Sequence, residues 1–314
     1  MNECRDAYLN EIVKAVYEGE DVYIAAADYA APCLDGLREE HPKRYVPVGI
    51  AEQNLIAVAS GIALNGKKVV AYALNPFPVF RAFDQLRNGA CLMKSTLALF
   101  GIGAGLNMAK DGFTHFPLED LCILRGSPNL TIYNLSDLNL ARYTAHKTVV
   151  LDAPIYVRGD RLVNCEYELK DEDIQSGFRF LQRATQTDVC VVSTGIMTTD
   201  CLQVLQAHDE FSDRVTLIDL FAFPFEENAF VEEVRKYRRV ITVEEIRLQG
   251  GMGSAVLETL NDADIHIPVR RMGIDISRNL SSHFGSRDWH LKQFGLDKNS
   301  IAGQISAALK QAKE

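Results

Sequence analysis

Short apolar runs alternate with helix-like stretches along almost the whole of this 314-residue chain, and no other feature narrows its fold as much. In the first half, VYIAAA (22–27), KKVVAYAL (67–74), LALFGIGA (97–104), NLTIYNL (129–135) and APIYVR (153–158) read as strands. Helices are expected at 6–18, 48–67, 75–94 and 137–147, and a loop leading to a short helix at 111–126. Apolar strands separated by helices build parallel sheets covered on both faces. Residues 161–185 are polar and charged and read as a linker or an edge segment. The alternation then resumes, with strands at 188–195, 215–223, 239–245 and 267–274 and helices at 197–208, 225–237, 250–262 and 299–311. The pattern predicts two parallel-sheet α/β domains, residues 1–170 and 186–314, with the boundary near 165–186. The length accommodates two domains of ordinary size.

One helix stands out. VGIAEQNLIAVASGIALNGK (48–67) places Glu52 in its first turn and then Leu55, Ile56, Val58, Ala59, Ile62 and Ala63 at helical spacing with a thin polar face. A helix this apolar is expected to be mostly buried. Glu52 then sits at the mouth of a buried helix, where the helix dipole favours a negative charge. On spacing alone, a simple capping role is the better reading.

Composition excludes several classes. The hydrophobic fraction of 47% and charged fraction of 24% are those of a globular protein. A net charge of −9 without any Lys/Arg block argues against nucleic acid. No apolar run reaches membrane-spanning length, and the N-terminus lacks the apolar core of a signal peptide. The seven cysteines (4, 33, 91, 122, 165, 190 and 201) are scattered, odd in number and without a CxxC pair. They suit buried thiols in a reducing cytoplasm, not a zinc site or a disulfide framework.

Ligands of parallel sheets bind at the carboxyl ends of the strands. Asp28, Glu52, and the segment bearing Asp111 and His115 all follow strands. Each has an ordinary alternative. Phe77, Phe80 and Phe83 at three-residue spacing read as core. GIGAG (101–105) lacks the GxGxxG spacing and reads as a turn. His115 fits a satisfied loop histidine, and Arg158 a salt bridge. GGMG (250–253) suits either an anion at a helix start or close helix–sheet packing.

The residues nonetheless resemble a known family. VGIAEQNLIAVASGIALNGK, then FxxFRAFDQLRN, then DGFTHFPLEDLCILRGSPN are similar, in order and distance, to the pyrimidine-binding domain of transketolases. DVCVVSTG, VITVEE, GGMGSAV and GSRDWHLKQFGLD resemble the C-terminal domain of the same enzymes. The resemblance implies thiamine diphosphate as cofactor and transfer of a two-carbon ketol unit from a ketose to an aldose. It implies that Glu52 is catalytic, hydrogen-bonding N1′ of the aminopyrimidine and favouring its imino tautomer, a demand that a rigidly held carboxylate in a dry pocket meets. By the same resemblance Phe77, Phe80 and Phe83 wall the cofactor, with Phe80 on the pyrimidine, and Asp28 lies beside it. Asp111 and His115 contact substrate, His115 also catalytically. Arg158 binds a substrate phosphate, and Arg5 matches a second arginine of that kind.

Two departures bear on function. The GDG…N motif that holds Mg²⁺ and the diphosphate in transketolases is absent, so metal ligands are expected on a partner chain and none here. The resemblance therefore implies the C-terminal subunit of a split transketolase, working with an N-terminal, diphosphate-binding subunit as an α2β2 heterotetramer. At the phosphate end, Pro32, Gly103 and Phe113 stand where the family has a serine, a histidine and a proline, which points away from ordinary sugar phosphates. The alternatives are a 2-oxo acid dehydrogenase beta subunit, a deoxyxylulose phosphate synthase-like enzyme, and a non-catalytic partner subunit.

Overall fold

The computed structural model describes residues 3–275, 277 and 284–312. Among them, twelve strands form two sheets, each inside its own half of the chain except at one edge. The first half supplies β1 (Val22–Ala26), β2 (Tyr45–Pro47), β3 (Lys68–Leu74), β4 (Leu97–Ile102), β5 (Thr131–Asn134) and β6 (Ile155–Gly159). The second supplies β7 (Phe178–Gln182), β8 (Val189–Ser193), β9 (Val215–Leu220), β10 (Ala222–Phe223), β11 (Arg239–Arg247) and β12 (Val269–Ile274). The orders are β10-β5-β6-β4-β3-β1-β2 and β12-β11-β8-β9-β7. All pairings are parallel except β10 on β5 and β7 on β9. Interior strands such as β4 and β8 are buried at every position, which is why they read as unbroken apolar runs and not as alternating ones. The two-domain parallel α/β expectation is met, with an antiparallel strand added at one edge of each sheet.

The polar segment 161–185, read as a linker or an edge segment, contains the helix Asp171–Ser176 and then β7, the edge strand of the second sheet. One expectation changes in detail. The strand expected at 215–223 is two strands. β9 lies in the second sheet, the chain turns at Phe221, and β10 joins the edge of the first. Apolarity alone cannot distinguish one long strand from two short ones in different sheets, because every residue from Val215 to Phe223 is buried either way.

The β10 exchange makes the halves one packed body. Each of the three apolar clusters contains residues of both. One of them, for instance, joins Leu106 and Phe116 to Val191, Leu217 and Ile305. A buried ion triad pins the same seam. Arg179 on β7 is 1% exposed and pairs with Asp137 at 2.9 Å and Asp219 at 3.0 Å, while Ser136 Oγ donates to Asp219 at 2.5 Å. In Arg179→Met, two buried carboxylates would face each other without a cation. Removing one partner of such a pair typically costs about 3–5 kcal/mol. Urea unfolding of the variant should register a loss of that size, and a loss below about 1 kcal/mol would contradict the assigned role.

Candidate active site

The site is assembled where chain connections diverge. β1 sends the chain outward to β2 at the sheet edge, whereas β3 sends it the other way to β4. A crevice opens at the carboxyl ends of strands where the order reverses in this manner. Asp28 follows β1 and is exposed, Glu52 follows β2, Phe77 follows β3, and Asp111 and His115 follow β4.

Glu52 is the first residue of the helix Glu52–Leu64 and is 5% exposed. Leu55, Ile56, Ala59 and Ala63 press this helix onto the sheet. The opposite face is open, however. Gln53, Asn54, Ala57, Gly61 and Leu64 are exposed. A mostly buried helix with a thin polar face was the expectation, and the chain by itself covers only one face.

The stretch 75–94, expected as one helix, is broken into the turn Phe77–Phe80, a second turn Phe83–Gln85 and a π-helical segment Leu86–Leu92. The break changes where the aromatics point. Phe77 and Phe83 are half-buried and Phe80 is exposed, so the three are not a core stripe. Phe77 meets the His115 ring edge-on, with centroids 5.1 Å apart. The Arg81 guanidinium lies 4.2 Å above the Phe77 ring centroid, and its Nη1 donates to Glu52 Oε2 at 3.1 Å. Glu52, Arg81, Phe77 and His115 thus form one continuous chain of contacts. The His115 Nδ1 is 3.0 Å from the Thr114 hydroxyl. Sequence reasoning missed Arg81. The signal was a single charge set inside an otherwise aromatic FxxFRAF run.

Arg158 and Arg5 are both buried and hydrogen-bonded within the chain. Arg158 on β6 is 3% exposed. Its Nε donates to Asp120 at 2.7 Å, Nη1 to Asn134 Oδ1 at 3.3 Å and Nη2 to the Pro117 carbonyl at 3.2 Å. Asp120 also accepts from the Tyr156 hydroxyl at 2.7 Å, which in turn accepts from Asn75 at 2.6 Å. Asn134 continues the line to Thr194 of the second half at 2.9 Å. In this placement the guanidinium is engaged by a buried internal network. Asp120 carries no sequence signal, since one acid among several near a helix start is ordinary. Arg5 is likewise 7% exposed, with Nε on Asp6 at 2.7 Å and Nη1 on the Ala30 carbonyl at 3.3 Å.

The two glycine motifs meet neighbouring glutamates of β11. Glu244 accepts from the backbone N–H of Met252 at 2.6 Å and Gly253 at 2.7 Å. The anion at the GGMG helix start is therefore the chain's own. A Cβ on Gly251 would lie 2.4 Å from that carboxylate, so close packing requires glycine. Glu245, pointing the other way, accepts from Leu106 N at 3.0 Å and pairs with Arg287 at 2.6 Å. It docks the GIGAG turn onto the second half. Nearby Asp160, 2% exposed, accepts from Asn107 and Leu162 N at 2.7 Å through one oxygen, while the other has no partner. Burial first, and then the Glu245 charge, push its carboxyl up to about 7. Among the described residues, no cluster of three or more His, Cys, Asp or Glu is arranged to hold a metal ion, and no helix is long and apolar enough to cross a membrane. All seven cysteines are free thiols.

Fold and site together define a pyrimidine-binding and C-terminal domain pair. Residues 2–164 match the family described as transketolase, pyrimidine binding domain, and residues 180–301 match transketolase, C-terminal domain. The chain belongs to the transketolase family. It is 27% identical over 299 residues to a 6-deoxy-6-sulfo-D-fructose transketolase subunit of Clostridium sp. (strain MSTE9), covering 95% of this chain and 91% of that one. It is 34% identical to the 1-deoxy-D-xylulose-5-phosphate synthase of Thermosynechococcus vestitus over 81% of this chain, but spans only 40% of that enzyme. A solved split-gene transketolase, described as an inactive β4 tetramer, superposes with a TM-score of 0.82 over 98% of both chains at 28% identity.

The Asp160 environment predicts a pH dependence. Because its carboxyl titrates higher in the fold than the ordinary value near 4, the native state keeps a proton that the unfolded chain has lost. Its stabilising contribution is complete below about pH 4 and is lost as pH rises through about 7. The unfolding free energy of the wild type relative to Asp160→Asn should fall by a few kcal/mol between about pH 4 and about pH 8. A difference that stays level across that range would refute the placement.

Proposed function

We propose that this chain is the C-terminal, pyrimidine-binding subunit of a split thiamine diphosphate-dependent transketolase. The observation behind this reading is the contact chain Glu52–Arg81–Phe77–His115 at the carboxyl ends of the strands. A buried carboxylate beside an aromatic face fits a flat nitrogen heterocycle, which needs one directional hydrogen bond and one stacking surface. Glu52 would hold the aminopyrimidine, with Phe77 and Phe80 against its ring, Phe83 behind them and Asp28 at the neighbouring strand end. His115, its Nδ1 engaged by Thr114, would offer Nε2 to a substrate oxygen, and Asp111 on the same loop would meet a hydroxyl. Thiamine diphosphate held there would supply a nucleophilic carbon for addition to a ketose carbonyl.

A partner chain is part of this reading. The exposed face of the Glu52 helix, the 74% exposed Ile50 and the 39% exposed Phe80 leave the candidate site unwalled on one side. A water-excluded site needs that side closed. The sequence offers no diphosphate or Mg²⁺ motif, so an N-terminal transketolase subunit in an α2β2 assembly would bring both. The compartment we infer is the cytoplasm, from the free thiols.

The substrate end suggests an unphosphorylated or otherwise atypical sugar. Arg5 and Arg158 are engaged by Asp6 and Asp120. Gly103, at the position of a family histidine, has φ +94°, a backbone that a histidine would adopt only under strain. Each lost charged contact to a phosphate forgoes about 1.5–3 kcal/mol. With both subunits, thiamine diphosphate and Mg²⁺, two-carbon transfer is expected, and Glu52→Gln should lower kcat by at least about a hundredfold. Release of CO2 from a 2-oxo acid by the pair would instead favour a dehydrogenase subunit, and robust turnover by this chain alone would sink the split-enzyme reading. For substrate choice, kcat/KM for a ketose and for its 5-phosphate should agree within about tenfold. A strong preference for the phosphate would return Arg5 or Arg158 to the site. The Clostridium relative is named for a sulfonated ketose, so a sulfonated donor belongs in the same comparison.

A further inference from the structure

Arg81 occupies the position that a heterocycle bound to Glu52 would need. Its guanidinium is flat, covers the Phe77 ring at 4.2 Å and donates to the Glu52 carboxylate at 3.1 Å. Those are the two contacts, one face and one carboxylate edge, that an aminopyrimidine seated on Glu52 would make. Both cannot be present at once. The Glu52 side chain is only 6% exposed, and a buried carboxylate without a cation or hydrogen-bond donor is costly. With no ligand bound, Arg81 supplies that cation.

The arginine is also placed to leave. It caps the four-residue turn Phe77–Phe80, the chain breaks at Ala82, and 52% of its side chain is solvent-exposed. Rotation about its side-chain torsions takes the head group to water without disturbing the backbone. Contrast Arg158 and Arg179, with side chains 4% and 1% exposed, whose pairs are locked inside the protein.

We propose that Arg81 is a displaceable latch. It neutralises Glu52 and covers Phe77 in the empty subunit, and it must swing out before a flat nitrogen heterocycle can take the seat. This rests on the assignment of Glu52 as the heterocycle's partner. A closed latch lowers the apparent affinity for the ligand by the fraction of molecules in which it is shut. Arg81 is thus a positioning residue that opposes binding, the reverse of what a ligand-contacting arginine does.

The test uses the 314-residue chain and the free pyrimidine of thiamine, 4-amino-5-hydroxymethyl-2-methylpyrimidine, titrated by calorimetry and by saturation-transfer NMR. Thermal unfolding and far-UV circular dichroism verify that each variant is folded. Arg81→Met should bind the pyrimidine about tenfold tighter than wild type, while Arg81→Lys, which keeps the cation, should stay near wild type. Without ligand, Arg81→Met should lower Tm, and adding Glu52→Gln should cancel most of that loss, because the unpaired charge is gone. Equal or weaker pyrimidine binding by Arg81→Met, with Glu52→Gln also losing it, overturns the latch and leaves the Glu52 assignment standing. Unchanged binding by Glu52→Gln overturns that assignment itself. Absence of binding by wild type and all variants, Arg81→Met included, overturns the latch, since removing the arginine would then have exposed no seat.

Discussion

Buried charge at the seam between the two halves is the constraint on which the rest of the structure depends. Arg158 with Asp120, Arg179 with Asp137 and Asp219, and Arg287 with Glu245 all lie in or against that seam. A buried charge is tolerated only when it is paired and its remaining donors are satisfied. Every one of these pairs fixes the relative position of elements far apart in sequence. The seam in turn holds the GIGAG turn through Glu245 and the loop before Asp120 through Arg158. The loop bearing Asp111 and His115 is strung between those two anchors. Stability at the seam and geometry at the candidate site are therefore one problem.

The same rule explains why the candidate site looks different from the seam. Glu52 is nearly as buried as the seam carboxylates, yet its partner is a half-exposed arginine on a broken turn. A locked partner would make Glu52 structural. A loose one keeps the carboxylate neutralised while leaving it available. The surface next to the Glu52 helix start tells a similar story, for Ile50 there is 74% exposed. The exposure of Ile50 beside the site fits a chain completed by another.

Much was legible in the sequence, and the reasons differ by element. β4 and β8 were readable because a strand buried on both faces must be apolar throughout. The Glu52 helix was readable because its spacing allows one apolar stripe, and its position after a strand put the carboxylate at the sheet's carboxyl end. The family resemblance rested on motifs whose order survives any change in the surface. The unreadable parts are those where composition is indifferent to the outcome. The run 215–223 is equally apolar as one strand or two. FPVFRAF has helical spacing but contains a break that spacing does not register. Arg158 is an arginine at a strand end whether it faces a ligand or an internal aspartate.

The sequence by itself determined the alternation that builds two parallel sheets, the family, and the identity of the groups brought to the strand ends, because periodicity and residue order are local properties. Only the tertiary structure decided which charges face each other. Asp120 captures Arg158 across 38 residues, and Arg81 reaches Glu52 across 29. Whether an arginine binds a ligand, pins a seam or guards an empty seat depends on the distance and burial of its partner, and neither is written in the spacing of the chain.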